Sequence, residues 1–170
     1  MSSASASSSA RSATRRLLKE LTAWHAESGA EEGVERLGPA REGELLRWEA
    51  VINGRGIGGG YDGGRWLLDI TIPATYPLHP PAVRFVTPVV HANVGLADGE
   101  VCLDLLKEAW TPAYSVLETV RAVRLLLATP EPDSPLNVDV AALVRAGDAM
   151  GAARLVEFWI RDGGGRYDGE

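Results

Sequence analysis

"YDGGRWLLDITIPATYPLHPPAVRF", from Tyr61 to Phe85, sets two short strands on either side of a proline-rich connector. Trp66, Leu68, Ile70 and Ile72 fall on every second position, the period of a strand with one buried face. Val83 and Phe85 repeat that phase after the connector. Between them Pro77, Pro80 and Pro81 remove backbone donors and fix φ, so the chain must leave the sheet and run extended until Val83. Leu78 stands beside these prolines as part of a rigid connector or of a docking edge. Upstream, "ELLRWEAVI" alternates in the same way, with Leu46, Trp48, Ala50 and Ile52 on one side, and a further short strand lies around Val34–Leu37. Four strands this close in sequence make an antiparallel meander most simply.

Helices flank the strands. Leu17, Leu18, Leu21, Trp24 and His25 recur at helical spacing, with Arg15, Arg16, Lys19 and Glu20 on other faces. "YSVLETVRAVRLLLATPEP" opens on a capping box, in which Ser115 accepts from the amide of Glu118 and Glu118 reaches back to Ser115. Val116, Leu117, Val120, Val123 and Leu127 form its apolar stripe, and Pro130 stops it. A short helix runs from about Val138 to a C-cap at Gly147, and a last one from about Ala149 to Arg161. Helix, strands, helices is an α+β order.

The bulk numbers narrow the function classes. A chain of 170 residues with 45% hydrophobic and 24% charged residues is an ordinary one-domain globular protein. A net charge of −6 argues against a general nucleic-acid binder. A single cysteine makes neither an internal disulfide nor a cysteine-rich zinc site, and three scattered histidines offer a metal little, so no metal or cofactor is expected on the chain. The default is a reducing compartment, and no apolar run has the length of a membrane span. Residues 1–13 are Ser/Ala-rich with one Arg and no acid, a composition shared by transit peptides and disordered tails; the reading adopted is a disordered tail. Residues 163–170 read as a flexible polar tail, leaving 14–162 as the folded domain.

Two motifs invite chemistry. "GRGIGG", Gly54–Gly59, matches G-x-G-x-x-G after a strand, but a second strand follows where a phosphate-binding helix should open, so it reads as a glycine-rich hairpin loop. "HANVGLADGEVCLDLL", His91–Leu106, holds the lone Cys102 on a strand-like step. A buried filler is one reading of that cysteine. A nucleophile is the other. Glu100 and Asp104 do not favour a thiolate, and no His–Asp relay is near in sequence, so a hydrolase is poorly supported. Thioester exchange asks for less: an accessible thiol and an amide donor for the oxyanion. Asn93 is the candidate donor, or else a turn residue that satisfies its own backbone.

These residues resemble the ubiquitin-conjugating enzymes over nearly the whole chain, from about Thr14 to Asp162. "RRLLKEL" looks like the family's first helix, and the stretch from Trp48 to Phe85 like its sheet and its Tyr-Pro-x-x-Pro-Pro segment. "HANVGLADGEVCLDLLKEAWTPAYSV" is similar, in order, to its His-Pro-Asn, Gly-x-x-Cys-Leu-Asp and Trp-Ser-Pro-Ala signatures. The resemblance implies the ubiquitin-conjugating α+β fold, and an enzyme that accepts ubiquitin as a thioester on Cys102 from an ATP-using activating enzyme. It implies an oxyanion role for Asn93, a structural role for His91 and a gate position beside the site at Ser134. Leu78, Thr111, Pro112 and Ala113 match two loops that meet RING-type ligases. Arg15, Arg16 and Lys19 match a first-helix surface for the activating enzyme and ligases. The spacing from His91 to Cys102, with "EAWTPAYSV", "DSPLNVD" and "LVRAGD", looks most like the peroxisomal branch found in fungi. That branch implies a cytoplasmic enzyme, recruited to the peroxisome by a membrane anchor protein and acting on import receptors. Two departures stand out. Ala92 replaces the motif proline, which frees φ and restores an amide, and the glycine-rich loop replaces a proline-containing turn. Two further readings stay open: a non-catalytic ubiquitin-binding scaffold, and conjugation of another ubiquitin-like protein.

Overall fold

The structure, a computed structural model, describes residues 2–27, 29 and 31–170. Helix α1 (Ser2–Ala26) leads into strands β1 (Val34–Pro39), β2 (Arg47–Asn53), β3 (Arg65–Thr71) and β4 (Ala82–Phe85). Helices α2 (Val116–Leu126), α3 (Val138–Arg145) and α4 (Ala149–Asp162) follow. The strands pair antiparallel in the order β1-β2-β3-β4, the meander expected from their spacing. Trp48, Ala50, Ile52, Trp66, Leu68, Ile70, Val83 and Phe85 all point to one buried face. The opposite face is charged: Asp69 takes both Arg47 and Arg84 at 3.1 Å, and Glu35 takes Arg65 at 2.7 Å. One face is thus packed against helices and the other carries ion pairs, as in a one-sided antiparallel sheet, although Val51, Asn53 and Asp69 on that reverse face are buried too.

Helix α2 carries the expected capping box, and it lies against β1 and β2. Its stripe buries Val116, Val120, Val123 and Leu127. Asn137 and Asp148 cap α3 and α4 through their side-chain oxygens, and Gly147 at φ 70 closes α3. In α1 the buried line is Ala13, Leu17 and Trp24, so Leu18 and His25 face outward, contrary to the sequence reading.

Three expectations change. The Ser/Ala-rich stretch read as a disordered tail is helical from Ser2 onward; Met1 lies outside the described residues. Alanine adds almost nothing to the cost of a helix, and the segment propagates from a helix whose Ala13 and Leu17 are already locked into the core. The Ser9 hydroxyl also donates to the Ala74 carbonyl. The C-terminal residues read as a flexible tail lie against β3: the Tyr167 amide donates to the Arg65 carbonyl at 2.7 Å, and Arg65 donates back to the carbonyls of Tyr167 and Gly169. The proline connector does not run extended. It folds into successive turns in which Tyr76 donates to Pro73 and Leu78 to Thr75, because the residues between the prolines still have amides to satisfy.

The glycine-rich stretch is a hairpin loop, as read, and its glycines are needed where it approaches α4. A β-carbon on Gly60, at φ +91, would lie 2.4 Å from the Ala153 carbonyl oxygen, whereas one on Gly56, at φ +75, would meet open space. Gly60→Ala is therefore expected to cost about 2 kcal/mol or more, and Gly56→Ala about 1 kcal/mol from its backbone alone, compared by urea unfolding.

Candidate active site

The turn from His91 to Val94 is tied from every side. The Asn93 amide donates to His91 Nδ1 at 3.0 Å, and Val94 donates to the His91 carbonyl. The Ala92 carbonyl accepts from Leu136 at 2.8 Å and Asn137 at 3.1 Å. The Asn93 carbonyl accepts from the amide of Cys102 at 2.9 Å. Val94 and Val101 form an isolated antiparallel bridge, closed by a turn in which Gly99 (φ 72) donates to the Gly95 carbonyl. The strand-like step expected at Cys102 is this bridge and one more, Glu100 with Arg84, and the tight loop brings Cys102 back to Asn93.

Asn93 is fully buried and its side chain is fully engaged. Nδ2 donates to the carbonyls of Glu131 (2.7 Å) and Ser134 (3.0 Å), and Oδ1 accepts from the Glu131 amide (2.7 Å). The asparagine clamps the loop after α2 beside the cysteine. Cys102 is half-buried and free, which sets aside the core-filler reading. It lies in a half-open groove of about 420 Å³ with Asn93, Asp104, Leu125, Glu131 and Ser134. Cys102, Asn93 and Ser134, far apart in sequence, thus share one groove. Leu125, 61% exposed, and the Glu131 backbone belong to it too. Sequence reading missed both: Leu125 lay outside the apolar stripe, and a backbone contact leaves no mark in residue type. Ala92 departs from the family motif without loosening the turn, since its carbonyl and both neighbours carry the restraints. Among the described residues its amide donates to no backbone carbonyl.

Leu78 is 68% exposed, and Thr111, Pro112 and Ala113 are exposed beside it. Trp110 joins the two loops: its Nε1 donates to the Pro77 carbonyl at 2.9 Å, and its ring lies between Tyr76 and Tyr114. Arg15 and Lys19 are exposed on α1. Arg16 is not free for a partner as expected. It pairs with Glu20 at 2.7 Å and donates to the carbonyls of Pro112 and Tyr114, fastening the second loop to α1. Glu20 in turn accepts from the Tyr76 hydroxyl and the Val116 amide.

A family model described as ubiquitin-conjugating enzyme matches residues 16–157. The chain belongs to the ubiquitin-conjugating enzyme family. It is a transferase of the ubiquitin pathway, in which such enzymes work with ubiquitin, an activating enzyme and ligases. It is 64% identical over 168 residues to ubiquitin-conjugating enzyme E2 PEX4 of Gibberella zeae, covering 99% of this chain and 98% of that protein. It is 39% identical over 146 residues to protein PEROXIN-4 of Arabidopsis thaliana, covering 86% of this chain and 91% of that one. The crystal structure of the H. polymorpha ubiquitin conjugating enzyme Pex4p, in complex with the soluble domain of Pex22p, superposes with a TM-score of 0.83 at 34% identity. That match covers 88% of this chain and 96% of the other.

His91 sits behind the groove, 1% exposed. Burial holds its imidazole down from 6.5 to about 4. Nδ1 accepts from Asn93, so Nε2 carries the proton; it interacts with the Leu126 backbone at a geometry short of a full hydrogen bond, which favours the charged ring a little. The ring is therefore a neutral support of the turn at pH 7. The folded value lies below the unfolded one, so this contribution is complete above about pH 6.5 and is lost as pH falls toward 4. Urea unfolding at pH 7.5 and pH 5.0 should show about 2 kcal/mol lost from this group, a loss absent in His91→Gln.

Proposed function

We propose that Cys102 accepts ubiquitin from the activating enzyme as a thioester and passes it to a target with a RING-type ligase. One observation carries this reading: the only thiol of the chain opens into a groove whose two walls are fastened together by Asn93. Leu78, Thr111, Pro112 and Ala113 form the ligase contact, with Arg15 and Lys19 on α1 meeting the activating enzyme. Arg16 supports that surface from beneath. The acceptor is held beside the thioester carbonyl, and that proximity supplies much of the rate. Asn93 donates to the oxyanion only by releasing a carbonyl of Glu131 or Ser134, so in the resting state its work is to position that loop. No metal or nucleotide on this chain takes part.

The setting follows from the relatives. Their names, and the Pex22p complex of the H. polymorpha neighbour, support a peroxisomal setting and an anchor partner of the Pex22p kind; the cytosolic face of the membrane and recycling import receptors as targets are what the family resemblance implies. No helix of the described residues is long and apolar enough to cross a membrane.

Incubation with activating enzyme, ATP and ubiquitin, followed by a non-reducing gel, should give a reductant-sensitive adduct that Cys102→Ala abolishes. No adduct with ubiquitin but one with another modifier would move the activity to that modifier; none with any would leave a binding scaffold. Ser134 is exposed at the rim and carries no charge. Discharge to free cysteine should exceed discharge to free lysine, and Ser134→Asp should raise the lysine rate several-fold. An unchanged lysine rate would remove Ser134 from the choice of acceptor.

A further inference from the structure

Behind the turn that carries Asn93 lies a cavity that shares no lining residue with the cysteine groove. It has a volume of about 270 Å³ and is enclosed by the glycine-rich hairpin, the end of α2, α3 and α4. Its wall is apolar. Ile57, Val144 and Val156 face it, and Ala128, Ala152 and Ala153 stand where larger side chains would fill the space. No aspartate, glutamate, lysine or arginine lines it.

Two polar side chains reach this wall, Tyr61 and His91. The Tyr61 hydroxyl is engaged, because it donates to the Val90 carbonyl. His91 keeps a donor in reserve. The residue is 1% exposed, and its Nδ1 accepts from the Asn93 amide at 3.0 Å, which leaves the proton on Nε2. Among the described residues Nε2 has no hydrogen-bond partner, and its approach to the Leu126 backbone falls short of one. Asn93 lines the cysteine groove and not this cavity. The nitrogen that Asn93 occupies therefore faces away from the cavity, and the free nitrogen, on the other edge of the ring, faces it. A buried donor without an acceptor destabilises the fold, and an acceptor that enters with apolar atoms around it recovers that loss.

We propose that this cavity binds a small neutral molecule, an aliphatic or aryl ketone, aldehyde or ester, whose carbonyl accepts from His91 Nε2. A cavity of about 150 Å³ takes one benzene, so this one has room for roughly ten to twelve non-hydrogen atoms. A hydrocarbon of that size fills the space and leaves the donor unpaired. A carboxylate is excluded, since no cation on the wall balances a buried charge. The carbonyl also keeps the proton on Nε2, the tautomer in which Nδ1 holds Asn93. Occupancy thus supports the turn that positions Cys102 without entering the groove.

The full chain, with nitrogen-15 in its histidines, is titrated with benzylacetone, butylbenzene and phenylbutyrate and followed by NMR. Benzylacetone should bind saturably with a Kd of roughly 0.1–1 mM, the usual return for a ligand of this size, and move the His91 Nε2 proton signal downfield. Butylbenzene and phenylbutyrate should bind at least tenfold more weakly. Ala152→Leu and Val144→Phe each add bulk to the cavity, and each should weaken benzylacetone binding at least tenfold; urea unfolding identifies which of them keeps the fold, and one folded variant is enough. Alkylation of Cys102, the chain's one thiol, with N-ethylmaleimide should leave the affinity unchanged. No saturable binding of benzylacetone, equal affinity for butylbenzene or phenylbutyrate, an unmoved Nε2 proton signal, a folded variant with undiminished binding, or affinity lost on alkylation would each overturn the proposal.

Discussion

The side-chain amide of Asn93 is the joint on which the site is built. Two donors and one acceptor meet the backbone of the loop after α2, while the main chain of the same residue holds the amide of Cys102. A buried amide left without partners costs as much as several ordinary contacts gain, so these bonds are demanded of the fold once Asn93 is buried. Thiol, the loop after α2 and the turn are therefore tied to one another through a single residue. Because the clamp is local and polar, it fixes the position of Cys102 without burying the residue, and the groove beside it stays half-open.

A second joint does the same for the surface that carries Leu78 and Pro112. The Glu20 carboxylate gathers Arg16, the Tyr76 hydroxyl and the first amide of α2, so α1, the proline connector and α2 meet on one group. Trp110 then locks the connector to the following loop. Among the described residues the exposed side chains on top, Leu78 and Thr111 to Ala113, make no hydrogen bond or ion pair; their backbones are held in place. Their shape is set from beneath by groups that never reach solvent fully, so surface chemistry can serve a partner without loosening the core.

The meander, the capping box and the α+β order were legible because periodicity and caps are local signals: Trp66 to Ile72 alternate whatever surrounds them. The pairing of Cys102 with Asn93 was legible from what thioester exchange asks for, but Ser134 joined them only through family resemblance, since nothing in a distance of tens of residues states that two loops touch. What escaped depended on tertiary partners. Ser/Ala composition reads as disorder until Ala13 is seen in the core, and the C-terminal tail reads as loose until Arg65 is seen holding it. Arg16 looked like an exposed cation because residue type does not reveal that its donors are already engaged.

Ala92 shows how such restraints can replace one another. Proline stiffens a turn by fixing φ, a property of one residue. Here the stiffness comes from acceptors on both sides of Ala92, from the imidazole that receives the Asn93 amide, and from the hairpin that returns Cys102. Burial keeps that imidazole neutral, and neutrality is what lets Nδ1 accept. The rigidity of the turn is then linked to the burial of the ring: water admitted beside His91 would stabilise the charged ring, remove the acceptor and release Asn93. The packing of α2 over His91 is therefore part of what positions the thiol, although no residue of that contact reacts.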